Sequence, residues 1–335
     1  MGSRIPRLAL VACAPLMFTI AAAPAAPVAS AAPPPMCTVN GVLTTGTLLL
    51  GRVTINGTAG NDVIKCHATL AQNSEYPLTV NALGGDDDVF FGGVLLGDDG
   101  TKDIVNLGAG NDKFFAKLNT NVSDTRAANE GTINGGLGND TIIVGDVPEN
   151  ANYGADGNGA SGEVNGGDGN DTIIVNGGTL PEGNNFGNAG TVNGGTGADT
   201  ISVRGGFRGI GYIGTPANVG TVNGGAGIDT ITITGGYSDS RFSQEPGGAA
   251  NGENDFDPDV DPTFGVVNGG LGVDKITLNG GVRYNFETET PAQGSNPGPS
   301  NVEEAIVDGG GALGLDGATC TFNPASQGTV TRCTP

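Results

Sequence analysis

Eight aspartates recur along the chain, each two residues after a glycine and six residues after an asparagine. Successive members of the set are 25 to 45 residues apart. The set comprises Asp62, Asp87, Asp112, Asp140, Asp171, Asp199, Asp229 and Asp274. Carboxylate oxygens are the ligands that hard divalent cations such as Ca2+ prefer. Whether these carboxylates can act together depends on the elements that carry them.

The aspartates belong to a repeated phrase that begins at each asparagine. Five copies read N-G-G-x-G-x-D-[TK]-I, and they start at Asn134, Asn165, Asn193, Asn223 and Asn268. Three earlier copies are looser: "NGTAGNDVI", "NALGGDDDV" and "NLGAGNDKF". A ninth, "DGGGALGLD" from Asp308, is degenerate and lacks the aspartate. The glycine four residues after the asparagine stands in all eight copies, where it permits a sharp bend or a close backbone approach.

Apolar residues around each phrase alternate with a period of two, the pattern of a strand buried on one face. Val or Ile precedes every asparagine, and aliphatic residues stand two and four positions after each aspartate of the five strict copies. Each copy therefore predicts a strand, a glycine-rich turn and a second strand. Because one such unit cannot bury its apolar face alone, the copies must stack. We expect an all-β fold, a parallel β-solenoid (β-roll or β-helix) of about eight or nine coils with long polar side loops.

Stacking would place the eight carboxylates in a column, one per coil and about 4.8 Å apart. Like charges at this spacing are destabilising, so a counter-charge is expected. Lysines are few, and Ca2+ accepts both carboxylate and backbone carbonyl oxygens. The alternative is that the aspartates only cap turns. The asparagine column is interpreted as a stacked amide ladder rather than a set of ligands.

The segments "GGLGND", "GGDGND", "GGTGAD", "GGAGID" and "GGLGVD" resemble the calcium-binding repeats of the repeats-in-toxin (RTX, hemolysin-type) proteins. The resemblance extends over roughly Asn56 to Leu278. It implies that several Ca2+ ions lie between successive turns, held by turn carbonyls and by the eight aspartates.

Two features depart from that family. Its repeats usually follow one another in tandem, whereas one copy recurs here every 25 to 45 residues, so the coils must be wider or carry large loops. The residue before the aspartate is Asn or Asp in the first five copies but Ala198, Ile228 and Val273 in the last three. Because β-branched residues tolerate a left-handed turn poorly, we expect the C-terminal sites to be the less regular ones.

Residues 1–31 have the order of a secretory signal peptide: two early arginines, an apolar run from Leu8 to Ala23, and a small-residue site at Ala29-Ser30-Ala31. Cys13 falls within this segment, and lipoprotein acylation there is the alternative. The mature chain would carry 12 basic and 35 acidic residues, a net charge of −23. Such a chain repels nucleic acid and anionic lipid and attracts cations. We expect an extracellular protein without a membrane span.

Four cysteines would remain after cleavage, and an even number in an exported chain favours disulfides. Of the three possible pairings, their clustering favours Cys37–Cys66 and Cys320–Cys333, one at each end. The expected organisation is a signal peptide (1–31), an N-terminal cap and first coil (32–55), a calcium-binding solenoid (56–310) and a C-terminal disulfide cap (311–335).

The sequence favours a structural or surface-interaction module that folds on Ca2+, with a cell-surface or polysaccharide partner, over an enzyme. The single histidine, His67, has no nucleophile partner visible in the repeats. The alternative is a polysaccharide lyase or epimerase-like enzyme that uses a carboxylate or Tyr pair. The acidic run "DFDPDVDP" lacks the turn glycine of an EF-hand loop and is interpreted as a solvated loop.

Ice binding is a further alternative, because threonines recur at positions predicted to face outward. These are Thr132, Thr191, Thr221, Thr141, Thr172, Thr200 and Thr230. Glu163, Val266 and Lys275 interrupt the columns, and outward threonine is common in strands because it suits them.

Overall fold

The computed structural model describes residues 37–66, 77–92, 102–116, 127–145, 156–180, 185–208, 214–239, 249–252, 265–281, 283–285, 290–291, 306–308, 318–323, 329–331 and 333–334. The predicted signal peptide, His67 and the acidic run at 255–262 lie outside these residues. Within them the secondary structure is entirely β, and no helix is long and apolar enough to cross a membrane.

Two long sheets contain most of the strands. Sheet 1 has the order β2 (Val42–Thr44), β1 (Cys37–Val39), β5 (Val63–Cys66), β7 (Asp88–Phe91), β9 (Lys113–Ala116), β11 (Thr141–Val144), β13 (Thr172–Asn176), β16 (Thr200–Arg204), β19 (Thr230–Thr234), β22 (Lys275–Asn279), β26 (Ala318–Asn323) and β28 (Cys333–Thr334). Sheet 2 has the order β3 (Thr47–Leu49), β4 (Arg52–Asn56), β6 (Leu78–Asn81), β8 (Ile104–Ala109), β10 (Thr132–Leu137), β12 (Glu163–Asp168), β15 (Thr191–Thr196), β18 (Thr221–Ala226), β21 (Val266–Leu271), β25 (Ile306–Asp308) and β27 (Thr329–Thr331).

Five short strands form two small sheets. One pairs β14 (Thr179–Leu180) with β17 (Phe207–Arg208), and the other joins β20 (Ser238–Asp239), β23 (Arg283–Asn285) and β24 (Thr290–Pro291).

The predicted solenoid is confirmed by strand order and register. Each copy of the phrase leaves a strand of sheet 2, turns through its glycines and enters a strand of sheet 1. Consecutive copies pair in parallel with like residues opposite, so that Asn165 lies beside both Asn134 and Asn193. The degenerate ninth copy follows the same register, with Asp308 opposite Asn268. Strands β27 and β28 belong to a tenth coil, which the sequence did not predict because it contains no copy of the glycine phrase.

The core lies between the two sheets. The Val or Ile before each repeat asparagine is completely buried, and so are the residues two and four positions after each aspartate of the five strict copies. Ile173 and Val175 of β13, for example, pack in the same core as Val164 of β12. The period-two alternation in the sequence therefore predicted both inward columns correctly.

The two ends of the stack differ. At the N-terminal end, the hairpins β1–β2 and β3–β4 turn back antiparallel on both sheets. The predicted Cys37–Cys66 disulfide is confirmed and links β1 to β5. At the other end Cys320 is disulfide-bonded. Cys333 stands on the adjacent strand β28, but its side chain lies outside the described part of the structure.

Candidate functional site

The eight repeat aspartates form a buried column at the glycine turns. Each aspartate is at most 1% exposed and stands directly before a strand of sheet 1. In the coil the aspartate and the first glycine of the phrase both face inward, because they lie at alternating buried positions on either side of the turn. The turn thus directs every carboxylate of the set into the interior rather than into solvent.

One oxygen of each carboxylate from the second coil onward is held by the neighbouring coil. The backbone N–H of Asp140 donates to Oδ1 of Asp171 at 2.8 Å, and that of Asp171 donates to Oδ1 of Asp199 at 2.8 Å. The same bond, at 2.7 to 2.9 Å, joins every consecutive pair from Asp62 to Asp274. These bonds fix the carboxyl groups in one orientation along the stack.

The second oxygen of the same carboxyl groups has no hydrogen-bond partner among the described residues. Seven aspartates share this feature: Asp87, Asp112, Asp140, Asp171, Asp199, Asp229 and Asp274. Asp62, at the N-terminal end, differs because its oxygens accept from Asn40 Nδ2 and from the backbone N–H of Thr58. A buried carboxylate oxygen without a donor is costly, so each of the seven requires a physical explanation.

A carbonyl oxygen from the next coil lies close to each unpartnered Oδ2 in four of the strict coils. A Cβ built on Gly166 would stand 2.4 Å from Oδ2 of Asp171 and 2.3 Å from the carbonyl oxygen of Gly194. Gly135, Gly194 and Gly224 have the same surroundings, with distances of 2.2 to 2.5 Å. Two oxygens from successive coils therefore pack closely against each of these glycines, and any side chain there would collide with both.

The second and third coils differ at this position. They have Ala82 and Leu107 in place of the first glycine, and both side chains are fully buried. This divides the column into an early part and a strictly repeated part.

Burial raises the pKa values of seven carboxyl groups, those of Asp87, Asp112, Asp140, Asp171, Asp199, Asp229 and Asp274. Desolvation raises the pKa of Asp140 to about 7 and the pKa values of Asp87, Asp199 and Asp229 to about 6. The backbone N–H bond to each group opposes this increase in pKa, and in these four neighbouring carboxylates add to it. The pKa of Asp171 is raised for the same principal reason. A cation or a proton at the column would relieve the same desolvated charge.

The left-handed turn expected directly before the aspartate, on which the prediction of less regular C-terminal sites rested, is not found. No described residue directly before a repeat aspartate has a positive φ, so Ile228 and Val273 meet no left-handed strain. In the five strict copies the left-handed positions are glycines two and four residues after the asparagine, such as Gly136 (φ 114°) and Gly138 (φ 119°). An asparagine directly before the aspartate can link two coils instead. Oδ1 of Asn139 accepts the backbone N–H of Asn170 at 2.7 Å.

The repeat asparagines form the predicted amide ladder on the outer side of sheet 2. Nδ2 of Asn193, for example, donates to Oδ1 of Asn165 at 2.8 Å, and six such bonds run from Asn56 to Asn223. They occupy the amide groups with one another, which agrees with a structural role.

A second asparagine ladder was missed by sequence reasoning. Its five members are fully buried. Nδ2 of each of the first four donates to Oδ1 of the next asparagine at 2.8 Å. They are Asn129, Asn158, Asn188, Asn218 and Asn251. The sequence feature that could have predicted it is the asparagine that begins "NAGT" and "NVGT". It was missed because it follows polar loops of uneven length.

The outward threonines of sheet 1 lie in register over four coils, from Thr141 through Thr172 and Thr200 to Thr230, and Lys275 continues the row.

No group of three or more His, Cys, Asp or Glu side chains converges within the part of the chain that the structure describes. No family model, curated protein or solved structure matches this chain.

Proposed function

We propose that this protein is an exported, calcium-binding β-solenoid that serves as a structural or surface-interaction module and folds on Ca2+. The observation that carries the proposal is the row of seven buried Oδ2 atoms without hydrogen-bond donors among the described residues. A repeated, desolvated, acceptor-only oxygen calls for a positive partner. The Cys37–Cys66 disulfide is compatible with an oxidising, extracellular location.

The donor set in the strict coils fits calcium. Asp140, Asp171, Asp199 and Asp229 each present Oδ2 beside a glycine carbonyl of the following coil, and hard oxygen ligands of these two kinds are the ones that Ca2+ takes. Since one carboxylate comes from each coil, carbonyl oxygens would have to supply much of each ion's ligand shell. Asp274 carries the same unpartnered oxygen in the last strict coil.

The early aspartates suit calcium less well. Ala82 and Leu107 stand as buried apolar side chains where the strict copies have their first glycine, and both oxygens of Asp62 already accept hydrogen bonds. We therefore assign the calcium sites to the coils from Asp140 to Asp274. Bound Ca2+ supplies positive charge and a shared link between coils, so binding and stacking are coupled.

The test is a Ca2+ titration of the mature chain, residues 32–335, followed by far-ultraviolet circular dichroism and by calorimetry. Wild type should gain β signal and release heat on calcium addition but not on addition of the same concentration of Mg2+, which demands a stricter geometry. Asp171→Ala should lower the number of ions bound and move the folding midpoint to higher calcium. Asp86→Asn, which removes an exposed carboxylate from an early turn and keeps its Oδ1 acceptor for the N–H of Asn111, is the control and should titrate like wild type.

A chelated wild type with its full β signal and no binding heat would reject calcium as the partner of the column. An Asp171→Ala variant that binds as many ions as wild type would place calcium elsewhere in the molecule.

A further inference from the structure

The N-terminal end of the solenoid exposes an unusual concentration of apolar side chains. Leu50 is 97% exposed, Val42 68%, Leu49 67% and Leu43 60%. These are four of the five most exposed large apolar side chains among the described residues, and all lie within nine positions of the sequence. Scattered exposed leucines need no explanation, whereas a cluster at one end of a stack indicates a contact surface.

The same end carries two open strand edges. Within the described residues, β2 pairs only with β1 and β3 pairs only with β4. Two-residue turns join these pairs, so the residues flanking each turn exchange hydrogen bonds and the next residues point their N–H and C=O groups outward. The outward residues are Leu43, at the centre of β2, and Leu48, at the centre of β3.

This end also lacks the charges that normally protect an open edge. Residues 37–51 contain no charged side chain, although the whole chain has a net charge of −21. The nearest cations in these coils point away from the end. Arg52 donates to the carbonyl oxygens of Leu78 and Lys102, and Lys65 lies over the ring of Phe90. Charged residues, prolines or bulges usually keep such edges from pairing, and β2 and β3 contain neither charge nor proline.

We propose that the N-terminal end is a dimer interface at which two copies of this chain meet head to head, β2 against β2 and β3 against β3. An uncharged end is where two strongly acidic molecules can approach with the least repulsion. A strand that meets its own copy across a two-fold axis pairs antiparallel, and the outward N–H and C=O of Leu43 and of Leu48 lie at the centres of such pairs. Head-to-head pairing closes at two copies, whereas docking on β27 and β28 of a second molecule would continue into a filament.

The experiment measures the mass of the mature chain in solution by sedimentation velocity over a hundredfold range of concentration, with calcium present. Circular dichroism of each sample establishes that the protein is folded, so the result does not depend on whether calcium is required. Wild type should sediment as a dimer at micromolar concentration. The double variant Leu43→Lys/Leu49→Lys should be monomeric, with association weakened at least tenfold and an unchanged β signal, because both side chains are already exposed.

The matched control is Leu137→Lys/Leu271→Lys, which adds the same charge at similarly exposed leucines on the glycine turns. It should remain dimeric. A folded wild type that stays monomeric throughout, a mass that grows beyond two copies with concentration, or a folded Leu43→Lys/Leu49→Lys variant that still dimerises would each overturn the proposal.

Discussion

The backbone N–H of Asp140 donates to Oδ1 of Asp171, 31 residues further along the chain, at 2.8 Å, while Oδ2 of Asp171 meets no donor among the described residues. The two oxygens of this carboxyl group therefore have different roles. Oδ1 links neighbouring coils, and Oδ2 is a buried acceptor that packs against Gly166. Substitutions that change only the second oxygen can separate the structural duty from the proposed calcium site.

Asp140→Asn should stabilise the protein in chelator and destabilise it in calcium. The amide retains Oδ1 as acceptor for the N–H of Asp112 and replaces Oδ2 by a donor beside the carbonyl of Gly166. In chelator at pH 8 the variant should therefore be more stable than wild type, by about 1–3 kcal/mol for the relieved buried acceptor. In saturating calcium it should be less stable. The folded fraction by circular dichroism in chelator and thermal unfolding in calcium together measure the change of sign, and a variant less stable than wild type in both would contradict the assignment of Oδ2.

The calcium-free protein should lose stability as the pH rises. The pKa values of Asp87, Asp140, Asp199 and Asp229 are raised from 3.8 to about 6 or 7 in the fold. The folded chain therefore holds more protons than the unfolded chain between about pH 4 and pH 7, and this contribution, complete below pH 4, disappears as the pH passes through the folded values.

Far-ultraviolet circular dichroism in chelator at pH 5 and at pH 8 measures this difference, with the larger folded fraction at pH 5. Calcium affinity should follow the opposite course and increase with pH, because the ligands must be deprotonated. Equal folded fractions at the two pH values in chelator would contradict the raised pKa values.

Gly138→Ala should be severely destabilising, whereas the same change at Gly60 should be mild. Gly138 has a φ of 119°, and a Cβ there would lie 1.8 Å from the carbonyl oxygen of Gly110. Gly60 occupies the same place in the first copy, but its φ is ordinary and the nearest atom to a Cβ, Thr58 Oγ1, is 3.9 Å away. Backbone strain alone should cost Gly138→Ala about 1–3 kcal/mol, with the collision in addition. Denaturant unfolding of both variants compares them, and similar losses would show that the stack can relax.

Asn158→Ala should destabilise the solenoid more than Asn193→Ala. Asn158 is fully buried and bonded at 2.8 Å to Asn129 on one side and to Asn188 on the other. Its loss leaves buried amide groups without partners, at roughly 1–3 kcal/mol for each. Asn193 belongs to the half-exposed ladder, where water can replace the lost bonds. Unfolding free energies of the two variants test this, and an equal cost would mean that burial does not distinguish the ladders.

The repeat, its register and its inward columns could all be predicted from the amino-acid sequence. The phrase keeps asparagine, glycine and aspartate in constant spacing, and a β-branched residue always precedes it, so only in-register stacking buries every Val and Ile. The clustering of cysteines also predicted Cys37–Cys66 correctly. These features are local and periodic, and period and spacing are what a sequence displays directly.

The tertiary structure decided everything that depends on which atoms of neighbouring coils meet. It gave the two oxygens of one carboxyl group different surroundings, and it distinguished Asp62 from the other seven aspartates. It showed that Ala82 and Leu107 occupy the interior space of the early coils, and it aligned the buried asparagines at Asn158 and its neighbours. These contacts join residues 25 to 45 positions apart through uneven loops, so no local pattern contains them, and only the stacking of the backbone brings them together.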